Sequence, residues 1–226
     1  MSSAVISPSE PGTDPRLQRS LGSALVAFRH SAGRSRLSDL RQSSPCRVLF
    51  PRPADPAVPE AVFINTAGGV AAGDSLHYGI EVGAGALAQV TTQAAEKVYR
   101  STGETARLRT QIKVGGEASL EWLPQETILF DGSRLERSVD VAIEGSGCAL
   151  LFDSLVFGRT HSGETLTHGR LLDRWTVRRD GRLVWADCLR LDGDITRLRA
   201  RPALLDGAGA TGCLLYLAPS AGALLE

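Results

Sequence analysis

The chain has 226 residues, which is enough for one or two domains with a buried core. Its 25 basic and 25 acidic side chains give a formal net charge of zero, which argues against a polybasic surface for nucleic acid or membrane lipids. No apolar run approaches the length needed to cross a bilayer, and the amino-terminal residues lack the apolar region of a secretory signal, so we predict a cytoplasmic protein.

The amino-terminal part of the chain divides into a tail, a strand region and a loop. Residues 1–19 are rich in Ser, Pro and charge, which predicts a mobile tail before a single β-rich domain over residues 20–226. Residues 22–50 predict two or three short strands, with a break near Gly33. The proline-rich residues 51–59 predict a stiff loop, because proline cannot donate a ladder hydrogen bond.

A glycine-rich corner follows, over residues 65–74, with the sequence NTAGGVAAGD. Gly68, Gly69 and Gly73 allow positive φ angles and close backbone approach in a turn between two strand-like runs. The segment ends on Asp74. Asp74 is either a docking or ligand residue or a solvated turn residue. The phosphate-loop pattern GxxxxGK[ST] is absent, so the segment is not interpreted as a nucleotide site.

The middle of the chain gives the clearest strand pattern. Apolar and polar residues alternate over 106–114 and again over 118–122, which predicts two half-buried strands. Gly115 and Gly116 lie between them, so the pair predicts a hairpin.

An apolar run over residues 148–158 predicts a strand buried on both faces. Asp153 interrupts this run, and a buried carboxylate costs several kcal/mol unless it is paired. We therefore expect Asp153 to face solvent at a strand end or to pair with an arginine such as Arg159.

Residues 170–191 predict a second hairpin that turns at Asp180 and Gly181 and brings Trp175 close to Trp185. Helical periodicity is limited to residues 93–100 and to the residues after Pro219. Consecutive strands with almost no crossover helices predict a mainly β protein, built either as a two-sheet sandwich or as a β-helical stack.

Histidine and cysteine spacing gives no metal-site pattern. His161 and His168 are seven residues apart, so a shared site would need a turn between them, and no HExxH occurs. No two cysteines form a CxxC pair, and we expect isolated, mostly buried thiols. The cysteines are Cys46, Cys148, Cys188 and Cys213.

Four segments in the same order resemble the urease accessory protein family UreD, also called UreH. They are NTAGGVAAGD at 65–74, TTQAAEKVYRS at 91–101, LEWLPQETILFDGSRLERS at 120–138 and FGRTHSGE at 157–164. The chain departs from the family pattern at Gln93 and Glu96, and it ends earlier than the family leads us to expect, so we expect a missing or reduced carboxyl-terminal segment. The resemblance implies a β-helical, stacked-sheet architecture with a few short helices.

The resemblance also implies a function. It implies a scaffold without enzymatic activity and without a tightly bound cofactor, which binds UreF, the GTPase UreG and the urease apoprotein and through which Ni²⁺ passes transiently. It allows a homodimer within the accessory complex, and the zero net charge predicts no nucleic-acid or membrane partner. The nickel-passage candidates are Asp74, His161 and Glu164, the partner-binding candidates are Tyr99, Arg100 and Arg159, and the structural corner is Asn65, Gly68, Gly69 and Gly73.

The alternative is a β-helical carbohydrate-active enzyme or binding module with a carboxylate pair on one sheet face. Such chains carry aromatic platforms and a secretion signal, whereas this chain is only 5% aromatic and shows no signal, so we favour the accessory protein.

Overall fold

The computed structural model of the protein describes residues 19–224, and the tail predicted for residues 1–19 lies outside the described residues except for Arg19. The described residues form fifteen strands, one short α-helix and two 3-10 turns, and none of their helices is long and apolar enough to cross a membrane. In chain order the elements are β1 (Leu21–Ser31), β2 (Arg34–Ser43), β3 (Cys46–Leu49), β4 (Glu60–Asn65), β5 (Ser75–Val82), β6 (Leu87–Thr92), β7 (Glu96–Val98), β8 (Ala106–Val114), β9 (Ser119–Trp122), β10 (Thr127–Leu129), β11 (Arg134–Ile143), β12 (Cys148–Phe157), a 3-10 turn (Thr160–Ser162), β13 (His168–Arg179), β14 (Arg182–Asp194), α1 (Ile195–Arg199), β15 (Ala210–Leu217) and a 3-10 turn (Ala221–Leu224).

The strands form two sheets, and the chain passes back and forth between them. Sheet A has the order β14-β13-β11-β8-β5-β1-β2, in which β1, β5, β8, β11 and β13 are parallel neighbours. Sheet B contains β3, β4, β6, β9 and β12, with β7 and β10 beside the second half of β12 and with β15 antiparallel to β12. Each sheet thus stacks parallel strands from successive coils, and the β-helical architecture is confirmed.

The core lies between the two sheets and is built from ladders of inward side chains. Val26, Ile80, Ile112, Val141 and Val177 pair in succession across sheet A, and each is at most 3% exposed. Alternation along each strand places these residues on one face, and burying each aliphatic side chain stabilises the fold by about 1.5–3 kcal/mol.

The hairpin predicted at Gly115 and Gly116 is wrong. β8 is a central strand of sheet A and is bonded on both sides by β5 and β11, so it has no free edge for a hairpin partner. The glycines instead carry the chain across to β9 in sheet B. The hairpin at Asp180 and Gly181 is confirmed, since β13 and β14 pair there.

Three other local predictions are wrong in part. Residues 93–100 contain the strand β7, which pairs with β10, and not a helix. The segment after Pro219 forms one 3-10 turn as far as it is described, up to Leu224. β12 is buried on one face only, because its other face is the outside of sheet B, where Phe152 is 38% exposed.

The cysteines are all free, but only Cys46 is buried. Cys188 is exposed because it lies on β14, the edge strand of sheet A. The expectation of mostly buried thiols is therefore wrong.

Candidate functional site

The glycine-rich corner is held by Asn65 at the end of β4. Its side-chain amide donates hydrogen bonds to the Gly69 carbonyl and to the Glu96 carboxylate, both at 3.0 Å, and its oxygen accepts one from the Ala67 N–H. Gly69 has a φ of +152°, and a Cβ added there would lie 2.5 Å from the Tyr99 ring and 2.7 Å from the Lys97 carbonyl. The corner thus needs glycine so that it can pack directly on β7.

Asp74 is 5% exposed, and its carboxylate is engaged by the backbone. One oxygen accepts from the Ser20 N–H and the other from the Ala71 N–H, both at 2.8 Å. These bonds tie the start of β1 to the end of the glycine corner.

Tyr99, Arg100, Phe130 and Arg159 form one partly exposed surface, which we call the motif surface. The Tyr99 ring meets the Phe130 ring edge to face at 5.2 Å, and the Arg159 guanidinium lies 4.2 Å from the centre of the Phe130 ring. Tyr99 also donates from its hydroxyl to the Gly68 carbonyl at 2.9 Å. The structure therefore brings the three partner-binding candidates together beside the glycine corner.

Two acidic residues bind the two arginines of the motif surface. Glu164 pairs with Arg159 and accepts from the Asp131 N–H, and Asp131 pairs with Arg100 at 3.0 Å. Burial alone raises the pKa of Asp131, but hydrogen bonds from His168 and Thr167 and the charge of Arg100 lower it below its ordinary value. These contacts fix the two arginines in place.

The three nickel-passage candidates are not gathered into one site. His161 is exposed in the 3-10 turn Thr160–Ser162, while Glu164 is engaged by Arg159 and Asp74 by the backbone. Within residues 19–224, no three His, Cys, Asp or Glu side chains are arranged to hold a metal ion. The assignment of these three residues stays a prediction.

Two of the cavities in the part of the chain that the structure describes share lining residues. The corner cavity, of about 240 Å³, lies beside the glycine corner and is lined by Asn65, Tyr78 and Glu96 among others. The terminal cavity, of about 230 Å³, lies between β13, β14 and β15 and is lined by residues that include Asp173, Asp187 and Cys213. Arg137 and Asp153 line both cavities, so this pair lies between the two spaces.

A buried ionic triad stands where the cavities meet. The Arg137 Nε and one terminal nitrogen donate to the two Asp173 oxygens at 2.8 and 2.7 Å, and the other terminal nitrogen donates to Asp153 at 2.7 Å. Arg137 and Asp173 are neighbours in sheet A, whereas Asp153 comes from sheet B, so the guanidinium joins the two sheets. The three side chains are only 6–9% exposed.

The triad carries one positive and two negative groups. Burial by itself lowers the pKa of Arg137, but the adjacent Asp153 and Asp173 carboxylates raise it above its ordinary value, so the guanidinium is charged. Burial raises the pKa of Asp153, Arg137 lowers it in part, and the Asp173 charge raises it again. One guanidinium thus lies between two buried carboxylates.

Asp153 pairs with an arginine, as one of the two expectations held, but the arginine is Arg137 and not Arg159. Arg159 lies just beyond the end of β12, outside the core, where it contacts Glu164 and Phe130. The sequence carries a signal for the true partner, because Arg137 occupies an inward position of the apolar alternation between Leu135 and Val139. Asp173 has the same phase on β13, between Leu171 and Trp175.

Glu96 is a buried titratable group of the corner cavity. Burial raises its pKa to about 7, the hydrogen bond from Asn65 lowers it in part, and the charge of Asp74 raises it. Burial, together with Glu96, also raises the pKa of Cys46 to about 11, so that thiol is neutral at physiological pH.

Replacing Glu96 by glutamine should stabilise the protein more at high pH than at low pH. Because the folded-state pKa of about 7 exceeds the ordinary value of 4.5, the folded state binds more protons, and wild-type stability falls as the pH rises between these values. We expect the advantage of Glu96→Gln to grow by about 2–3 kcal/mol between pH 5 and pH 8, measured by urea denaturation. The exposed Glu81→Gln is the control, and equal pH profiles for the two variants would contradict the assignment.

Comparison with known proteins gives one consistent family. The family model described as UreD urease accessory protein matches residues 20–226. A urease accessory protein UreD of Methylobacterium sp. is 45% identical over 217 residues, which cover 94% of this chain and 75% of the relative. Those of Rhodopseudomonas palustris and Azorhizobium caulinodans are 45% and 44% identical, over 92% and 94% of this chain and 74% and 78% of the relatives. The resemblance seen in the four sequence segments is thus confirmed, and the chain belongs to the UreD family of urease accessory proteins.

Proposed function

We propose that this chain is a cytoplasmic scaffold without enzymatic activity that helps deliver nickel to urease, together with UreF and the GTPase UreG. Membership of the UreD family supports a role in urease maturation. GTP hydrolysis has to come from a partner, because the phosphate-loop pattern is absent from this sequence. No tightly bound cofactor is part of the proposal, and a homodimer of the accessory complex is compatible with it.

The observation that carries the nickel proposal is the meeting of two cavities at buried carboxylates. Ni²⁺ that moves between proteins needs oxygen or imidazole ligands that exchange, and not a closed set of thiolates. Asp153 and Asp173 offer such oxygens in the interior, and Asp187 offers another where the terminal cavity is exposed to solvent. We therefore propose that nickel crosses the protein from one cavity to the other past Asp153.

The motif surface is proposed as the contact for a protein partner. Tyr99 and Arg159 are 37% and 46% exposed, and tyrosine and arginine are the residue types that most often anchor interfaces. Their stacking on Phe130 holds them in fixed positions, which reduces the entropy lost on binding.

The decisive test is co-expression of urease subunits with UreF and UreG, with and without this chain. We expect urease made without the chain to contain little nickel and to show little activity, measured by metal analysis and urea hydrolysis. Urease that acquires nickel normally in its absence would refute the proposal.

Point variants in the same assay distinguish the passage from the docking surface. Asp187→Asn should lower nickel incorporation severalfold while the complex still forms, and the outward Asp192→Asn on the same strand is its control. The pair Asp74→Ala and Glu164→Ala should also lower activation if the sequence-based assignment is right, provided that thermal melts show a folded chain. Tyr99→Ala with Arg159→Ala should instead reduce co-purification of the partners. Unchanged nickel incorporation in Asp187→Asn would remove the proposed route.

A further inference from the structure

Arg137 stands at the contact between the two cavities and is the one cation of the triad. Its guanidinium donates three short hydrogen bonds, two to Asp173 and one to Asp153, and a longer one of 3.3 Å to the Thr127 hydroxyl. The guanidinium thereby occupies carboxylate oxygens that a cation entering from either side would bind. A nickel passage through these cavities therefore has to move or replace this guanidinium.

The charges of the triad favour replacement by a doubly charged ion. When both carboxylates are ionised, they and the one guanidinium carry a net charge of −1 in a buried environment, as would two carboxylates and a monovalent ion. A divalent ion would neutralise both carboxylates, so its exchange for the guanidinium lowers the electrostatic energy of the site. The exchange of a monovalent ion does not. The corner cavity, which Arg137 also lines, gives the displaced guanidinium space to turn, with Thr127 on its wall as an acceptor.

We propose that Arg137 is the gate of the passage: it closes the contact between the cavities by binding Asp153 and Asp173, and an arriving divalent cation opens it by taking its place. This inference rests on the proposed function. It assigns to Arg137 a role in selecting divalent over monovalent ions, and it makes the two carboxylates the point at which that selection occurs.

The test is direct Ni²⁺ binding to the purified full chain, measured by isothermal titration calorimetry in high and low NaCl. Arg137→Lys keeps a positive charge but loses the planar fork that holds both carboxylates at once. We expect Arg137→Lys to bind Ni²⁺ about tenfold more tightly than wild type, and the gain to vanish when Asp153→Asn is added. Arg109→Lys, which alters an exposed ion pair on the same sheet, is the control.

A second variant covers the case in which Arg137→Lys does not fold. Asp173→Asn leaves a neutral Arg137–Asp153 pair, so the weak Ni²⁺ binding of wild type should be lost while circular dichroism shows the native fold. Folded Arg137→Lys that binds Ni²⁺ no more tightly than wild type, or Asp173→Asn that binds it as wild type does, would overturn the gate.

The outcomes for the gate and for the proposed function can be told apart. If wild type supports urease activation but the binding changes are absent, the gate is wrong and the function stands. If the binding changes occur but urease matures without the chain, the displacement at Arg137 is real and the nickel-delivery function is wrong.

Discussion

Replacing Arg137 by methionine is expected to lower the free energy of unfolding by about 3–5 kcal/mol at pH 7, because it leaves two buried carboxylates without a cation. Methionine fills most of the space of the arginine stem, so the loss reports charge and hydrogen bonding more than volume. Guanidinium chloride denaturation followed by circular dichroism measures the change.

The matched variant adds Asp153→Asn and Asp173→Asn to Arg137→Met. This triple variant has no charge at the triad, and neutral replacements of buried ion pairs are often close to wild type in stability, so we expect most of the loss to be recovered. The loss in Arg137→Met alone should also shrink at low pH, because unpaired buried carboxylates have raised pKa values and become protonated. A triple variant as unstable as the single one would show that the triad is not the source of the effect.

Replacing Gly158 by alanine is expected to cost about 3 kcal/mol or more of stability. Gly158 follows β12 with a φ of +92°, and an added Cβ would lie 2.7 Å from the Glu164 carbonyl oxygen and from the Leu166 nitrogen, and 2.8 Å from the Thr165 Cα. A side chain in this backbone region costs about 1–2 kcal/mol by itself, and overlap with backbone atoms adds about 1–3 kcal/mol. The measurement is thermal and urea unfolding.

Gly163 provides a control in the same loop. Its φ is +73°, but nothing lies within 4 Å of an added Cβ, so Gly163→Ala should cost only about 1–2 kcal/mol from backbone strain. A similar loss in both variants would show that close packing under Gly158 is unimportant. Because Gly158 anchors the loop that carries Arg159 and Glu164, its variant should also weaken partner binding at the motif surface.

Residues of the motif surface were predicted from the sequence, whereas the ionic triad was not. Tyr99, Arg100 and Arg159 were selected from segments that resemble the family. The fold places Tyr99 and Arg159 against Phe130, and Arg100 against Asp131, the next residue. The resemblance did not indicate Arg137. A residue type that suits an interface can be recognised from one position of the sequence. An ionic triad cannot, because it forms only when three strands bring their side chains together.

The sequence by itself determined the β class, most strand positions and the buried face of the strands that alternate, because alternation with a period of two depends only on neighbouring residues. It also determined the hairpin at Asp180 and Gly181, whose turn is local, and the family. Only the tertiary structure decided that Gly115 and Gly116 lead to the opposite sheet. It also decided that Asp153 pairs with Arg137, 16 residues away, and that Asp173, 36 residues from Arg137, completes the triad. Alternation states that a side chain points inward, but the stacking of coils from distant parts of the chain decides which side chain it meets there.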